Sequence, residues 1–140
     1  YILWLVGRVI VVEETVFDSV YKKYVILVVH NLQFDSSILK TEYLKNNKNN
    51  FYLTKKKNYC TIQNSVDLCN LKSINSLGIY TKFPKLDELH FKLFQEKPTN
   101  LHNSYYDIIV CLRCFLKLSN DIDVFKYSKE LNSFYEVYIQ

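Results

Sequence analysis

Apolar runs along the chain predict buried strands that alternate with helices. The uninterrupted aliphatic run at residues 25–29 is typical of a central parallel strand, and we predict a strand over residues 24–30. Apolar positions at i, i+3 and i+4 spacing predict an amphipathic helix over residues 13–23 before it. After the strand, Asp35 begins a predicted helix that continues through residues 38–44. The pattern favours an α/β fold.

Two further helices are predicted in the second half of the chain. Residues 104–118 are apolar nearly all round, as in a buried helix. Pro84 is suited to the first position of another helix, which buries apolar residues at helical spacing. Those residues are Leu86, Leu89, Leu93 and Phe94. Aromatic residues spread over the polar segment 119–140 predict one more short helix.

Composition and charge agree with one globular domain. The 140 residues are 49% hydrophobic and 16% aromatic, which is enough to enclose one core. The net charge of +4 and the lysine run at 55–57 are compatible with a phosphate backbone as partner, but such a run is more often a solvated loop, so the charge only supports this interpretation. The apolar start, residues 1–6, is too short to span a bilayer. We therefore expect an intracellular protein with no membrane association.

The most informative chemistry is a histidine followed five positions later by an aspartate, His102 and Asp107. An imidazole accepts a proton from water near neutral pH, and a carboxylate binds a hard divalent cation. Asp35, just beyond the carboxyl end of the predicted central strand, is a second candidate carboxylate. It suits either helix capping or metal binding. The combination predicts metal-assisted hydrolysis.

These motifs resemble those of the DnaQ-like 3′-5′ exonucleases of the DEDDh type, the family that includes the epsilon subunit of DNA polymerase III. The resemblance covers residues 16–118. It comprises His-Asn-x-x-Phe-Asp at 30–35, Cys-Thr-Ile at 60–62, Pro-Lys-Leu-x-Glu-Leu at 84–89, His-Asn-x-x-x-Asp at 102–107 and Cys-Phe-Leu-Lys-Leu at 114–118. It implies a three-layer ribonuclease H-like fold, in which helices flank a mixed β-sheet on both sides.

The resemblance also implies roles for individual residues. Asp35 and Asp107 would bind Mg²⁺ or Mn²⁺ at a two-metal site, and His102 would be the general base. Asn31, Phe34 and Asn103 would contact the substrate. The implied activity is hydrolysis at nucleic-acid 3′ ends, with single-stranded DNA as substrate and a DNA polymerase as a further partner. Tyr105 and Tyr106, between His102 and Asp107, offer rings for base stacking or for the core.

The chain departs from the family at its first motif, an Asp-x-Glu pair, because no such pair precedes Asp35. Glu13 and Glu14 are adjacent, so on a strand they point to opposite faces. We therefore expect an N-terminally truncated exonuclease domain over residues 1–118, followed by a helical extension, residues 119–140. The alternative function is a catalytically inactive domain that only binds nucleic acid or a polymerase.

Cysteine and the other histidines are assigned structural roles. Cys111 and Cys114 have the spacing of a zinc site but lie within the predicted helix, and no second pair accompanies them. We interpret them as buried thiols. His30 and His90 are interpreted as structural histidines.

Overall fold

The computed structural model describes residues 2–5, 26–45, 57–98 and 103–137. The chain divides into two compact units, Tyr1–Cys60 and Thr61–Gln140. Helices and strands occur in both, so the mixed α/β class is confirmed. The predicted helix over residues 13–23 and the acidic pair Glu13 and Glu14 lie outside the described residues.

The first unit contains a three-stranded parallel sheet. Strand β2 (Ile26–Val29) is central and pairs with β1 (Ile2–Leu5) on one side and β3 (Lys57–Cys60) on the other. The last three residues of β2 are buried. A strand that is paired on both edges and buried on both faces needs a continuous apolar sequence. The predicted central parallel strand is therefore confirmed.

Helix α1 (Leu32–Lys45) follows β2 and begins three residues before the predicted start at Asp35. Asn31 precedes the helix, and its Oδ1 accepts a hydrogen bond from the Phe34 backbone N–H at 3.3 Å. This bond satisfies one of the N–H groups that the first turn leaves unpaired. The predicted start was wrong because Asn31 caps the helix, which places Asp35 inside the first turn.

The second unit begins with a short helix and a hairpin and continues with three longer helices. In chain order the elements are α2 (Val66–Cys69), β4 (Lys72–Asn75), β5 (Gly78–Thr81), α3 (Leu86–Phe94), α4 (Ser104–Asn120), a 3₁₀ turn (Val124–Lys126) and α5 (Lys129–Val137). Strands β4 and β5 pair only with each other, antiparallel, among the described residues.

All three helices predicted in this unit are observed, and α5 is the short helix expected within residues 119–140. Helix α4 matches the prediction over residues 104–118 and is two residues longer. Helix α3 starts at Leu86, so Pro84 precedes the cap residue and is not the first helical residue. The start is set by Glu88, whose Oε2 accepts the Lys85 backbone N–H at 2.8 Å. Of the described helices, none has both the length and the apolar content needed to cross a membrane.

A buried cation organises the core of the second unit. Arg113 on α4 binds both carboxylate oxygens of Asp123, from Nε at 2.8 Å and from Nη2 at 2.9 Å, and its Nη1 binds Glu96 at 2.8 Å. Its guanidinium carbon lies 3.9 Å from the ring centroid of Phe94 and 4.3 Å from that of Phe125. The ion pairs and the cation–π contacts with the two rings offset the free-energy cost of removing the guanidinium from water.

The same guanidinium determines the state of His90. Arginine can only donate hydrogen bonds, so the His90 Nε2 atom, 3.1 Å from Arg113 Nη1, must be the acceptor. The Nδ1–H group then donates to the Glu96 carbonyl at 2.9 Å. Burial lowers the pKa of His90, and the Arg113 charge lowers it further. His90 is therefore a neutral structural histidine, as interpreted from the sequence.

Replacement of Arg113 by methionine should strongly destabilise the second unit. The change leaves Asp123 without its bidentate partner in a largely buried position, and breaking such a pair costs about 3–5 kcal/mol. We expect a clearly lower urea midpoint for Arg113→Met. Lys117→Met on the same helix is the matched control, since Lys117 pairs with the exposed Asp121. Equal midpoints for the two variants would contradict the role of Arg113.

Candidate functional site

The first candidate carboxylate lies just beyond the carboxyl end of the central strand. Asp35 is in the first turn of α1 and is only 7% exposed. Burial raises the pKa of Asp35 to about 6, although a hydrogen bond from the Asn31 backbone N–H opposes this shift. A nearby divalent cation would favour the ionised carboxylate and offset the cost of its burial. With a pKa of about 6 the carboxylate is still largely ionised at pH 7, so its burial leaves it able to bind a cation.

Asn31 and Phe34 lie in the same turn as Asp35. Phe34 is 54% exposed, so its side chain is accessible to a partner. The exposed Asn31 uses its Oδ1 atom in the helix cap, and its Nδ2 group is a donor. The structure therefore brings together three of the residues predicted for the site: a carboxylate, an amide and an exposed ring.

A cysteine thiol on the neighbouring strand β3 is hydrogen-bonded to the backbone just before this turn. Cys60, the last residue of β3, is buried. Its Sγ atom accepts the Leu32 backbone N–H at 3.5 Å and donates to the His30 carbonyl at 3.4 Å. The thiol thereby connects His30, the residue after β2, to Leu32, the first residue of α1. It fixes the path of the chain just before Asp35.

The second candidate carboxylate, Asp107, is half-buried in the first turn of α4. Asn103 caps this helix: its Oδ1 accepts the Tyr105 backbone N–H at 3.1 Å. Of the two predicted stacking rings, Tyr105 is 72% exposed, whereas Tyr106 is fully buried and stacks on Tyr135 with 5.2 Å between centroids. Tyr106 is therefore a core residue, and its ring is not available for base stacking.

The two carboxylates occupy equivalent local structures, which the sequence reasoning missed. Both segments read His-Asn-x-x-x-Asp, at residues 30–35 and 102–107. In each, asparagine precedes the helix, and its carbonyl accepts the backbone N–H of the aspartate, at 3.0 Å for Asp35 and 2.9 Å for Asp107. The repeated spacing was a visible signal. Each motif delivers a carboxylate to the first turn of a helix.

The predicted metal ligands and the predicted base do not all lie in one unit. Asp35 belongs to the first unit and Asp107 to the second, and His102 lies outside the described residues. No group of three or more histidine, cysteine or acidic side chains that could hold a metal ion occurs within the described ranges. Cys111 and Cys114 are buried in α4, and burial raises the pKa of Cys114 well above its usual value, which disfavours the thiolate that zinc requires.

Comparison with known proteins gives no match: no family model fits the chain, and no curated protein or solved structure is similar to it. The likeness to DnaQ-like exonucleases therefore rests on the motifs themselves.

Replacement of Asp35 by asparagine should stabilise the first unit near neutral pH. The folded pKa of about 6 lies above the ordinary value of 3.8, so the folded state holds the proton more tightly. The protonated carboxyl of Asp35 therefore adds to the free energy of unfolding below about pH 4, and this contribution is lost as the pH rises through 6. We expect Asp35→Asn to unfold at higher urea than the parent at pH 7.5, with the difference shrinking towards pH 4. A less stable variant at pH 7.5 would indicate that Asp35 is a structural cap.

Replacement of Cys60 by valine should loosen the turn before Asp35. Valine fills a similar volume but removes both sulfur hydrogen bonds, each worth about 1 kcal/mol at most. Cys60→Ser, which keeps a donor and an acceptor, is the control. We expect faster amide hydrogen exchange at Leu32 in the valine variant than in the serine variant. Identical exchange in both would show that the sulfur contacts do not hold the turn.

Proposed function

We propose that this chain is a metal-dependent 3′-5′ exonuclease domain that hydrolyses phosphodiester bonds at DNA 3′ ends. The observation that carries the proposal is the position of Asp35, a desolvated carboxylate one turn beyond the carboxyl end of a central parallel strand. Ligand sites of open α/β sheets occur at this edge. Such a carboxylate destabilises a domain unless a ligand compensates for it, which is typical of functional sites.

The proposed fold is the three-layer ribonuclease H-like arrangement. Three parallel strands with β2 in the centre, and a helix in the connection from β2 to β3, support this proposal. The His-Asn-x-x-x-Asp motif, which occurs twice, gives further support, because it places Asp35 and Asp107 at equivalent positions in the first turn of a helix.

Each residue of the proposed site has a distinct task. Asp35 and Asp107 supply the oxygen ligands that Mg²⁺ and Mn²⁺ prefer. The cation, when bound, lowers the pKa of a water molecule and stabilises charge on the departing 3′ oxygen. His102 accepts the proton of the attacking water.

The other site residues position the strand. Phe34 presents an exposed ring on which a terminal base can stack, and Asn31 and Asn103 present amide groups to the nucleotide.

The activity test is release of nucleotides from a labelled single strand in the presence of Mn²⁺. We expect Asp35→Asn, Asp107→Asn and His102→Ala each to lose at least about 100-fold in rate. Asp67→Asn is the matched control, since Asp67 also lies in the first turn of a helix, α2, and is exposed. Activity that all four variants retain would contradict the assignment of the site.

A second candidate is a domain that binds nucleic acid or a polymerase without cleaving DNA. The observation in its favour is that Asp35 already has a local partner, the Asn31 backbone N–H, which gives the carboxylate a structural use. On this hypothesis the folded chain binds a single strand in the absence of metal and releases no nucleotides when Mn²⁺ is added.

A further inference from the structure

The hydrogen bonds of His90 leave one ring nitrogen on which a second proton can be placed. His90 is fully buried on α3. Its Nδ1–H group donates to the Glu96 carbonyl at 2.9 Å, and its Nε2 atom accepts from Arg113 Nη1 at 3.1 Å. A second proton on the ring must therefore go to Nε2. It would face an N–H group of Arg113, which has no acceptor, so a hydrogen bond would become a contact between two cations.

The charged groups near His90 belong to three segments. Arg113 is on α4, Glu96 follows α3 and Asp123 precedes the 3₁₀ turn, while the Tyr135 ring on α5 stacks on His90 with 5.9 Å between centroids. Both carboxylates accept hydrogen bonds from Arg113, and that of Glu96 is half exposed, so water screens its attraction for an imidazolium. Burial and the Arg113 charge outweigh the attraction of these carboxylates, and the pKa of His90 is lowered.

The same polar contacts join the end of α3 to α4. His90 and Glu96 both contact Arg113, which is on α4. Leu89, the residue before His90, is buried in an apolar core together with Val110 of α4, and this contact involves no charge. Loss of the polar contacts would therefore release the end of α3, whereas its apolar side chains would stay in the core.

We propose that the cluster of His90, Arg113 and Glu96 is an acid-sensitive latch, in which uptake of a proton by His90 separates the end of α3 from α4. This inference goes beyond the proposed function and requires neither metal nor nucleic acid. The latch is closed while His90 is neutral. Because the folded state lowers the pKa of His90, the stabilisation is complete above the ordinary value of 6.5 and is lost as the pH falls below it.

The test is hydrogen exchange at the Gln95 amide, which ends α3 by donating to the Phe91 carbonyl at 2.9 Å. NMR on the full chain gives the protection factor of this amide from pH 7.5 to pH 5, after correction for the intrinsic pH dependence of exchange. A released histidine with a pKa of 6.5 is protonated over neutral by about 30 to 1 at pH 5, which sets the largest possible effect. We expect the protection to fall at least about fivefold in the parent.

His90→Gln should abolish this fall, because the glutamine amide oxygen can accept from Arg113 and does not titrate. His30→Gln, the matched histidine replacement in the first unit, and His102→Gln should each keep the fall. Circular dichroism verifies that every variant is folded at pH 7.5. Protection that does not change with pH in the parent, or a fall that persists in His90→Gln, would overturn the proposal.

A second variant keeps the test decisive if His90→Gln does not fold. Glu96→Gln changes a half-exposed side chain and removes a carboxylate that favours the imidazolium. We expect a larger fall in protection at pH 5 than in the parent, because the folded state then resists protonation more strongly. Glu136→Gln, at an exposed position on α5, is the matched control and should behave like the parent. A fall in Glu96→Gln that is no larger than in the parent would contradict the proposal.

The Val110 amide distinguishes local opening from acid unfolding of the whole second unit. Val110 is fully buried in the middle of α4. The latch predicts a larger fall in protection at Gln95 than at Val110, since only the end of α3 is released. Equal falls at the two amides would show that the unit unfolds as a whole, and the latch would be overturned.

Discussion

The first N–H groups of a helix need hydrogen-bond acceptors, and this constraint determines where both candidate carboxylates lie. Asn31 and Asn103 each supply a side-chain acceptor at a helix start. The aspartate four residues later is then in the first turn, where the N-terminal end of the helix favours negative charge. Asparagine capping thus places an aspartate in the first turn of a helix in both segments. The positions of the two proposed metal ligands depend on this capping.

Each of these helix starts is supported by different neighbours. In the first unit the support is the Cys60 thiol, which is hydrogen-bonded to both sides of the turn between β2 and α1. In the second unit Arg113 anchors the middle of α4, two to three turns beyond its start. Through Glu96 and Asp123, Arg113 connects α4 to the segments that follow α3 and α4. A functional carboxylate needs such a rigid setting, because its ligand geometry must be held closely.

The long apolar elements could be predicted from the sequence, and the polar interactions could not. Strand β2 and helix α4 follow from continuous apolar runs. The start of α1 was misplaced because Asn31 and Asp35 are both good cap residues, and only the hydrogen bond to Phe34 distinguishes them. The buried position of Arg113 had no local signal, since its two acidic partners lie ten and seventeen residues away.

The hairpin was also missed, because its two four-residue strands are mostly polar and exposed. Among the candidate site residues, Asp35, Asn31 and Phe34 could be grouped from the sequence because they share one helical turn. The proposed metal-binding role of Asp35 came from the resemblance and from its place after a strand. The structure adds that this carboxylate is buried and that its pKa of about 6 leaves it largely ionised at neutral pH.

The most direct test of this account is the titration of the Asp35 carboxyl carbon by NMR, with and without Mg²⁺. The account predicts a pKa of about 6 in the absence of metal and a clearly lower pKa when Mg²⁺ is present, because the cation stabilises the ionised carboxylate. A pKa of Asp35 that is unchanged by saturating Mg²⁺ would contradict the claim that this carboxylate is a metal ligand.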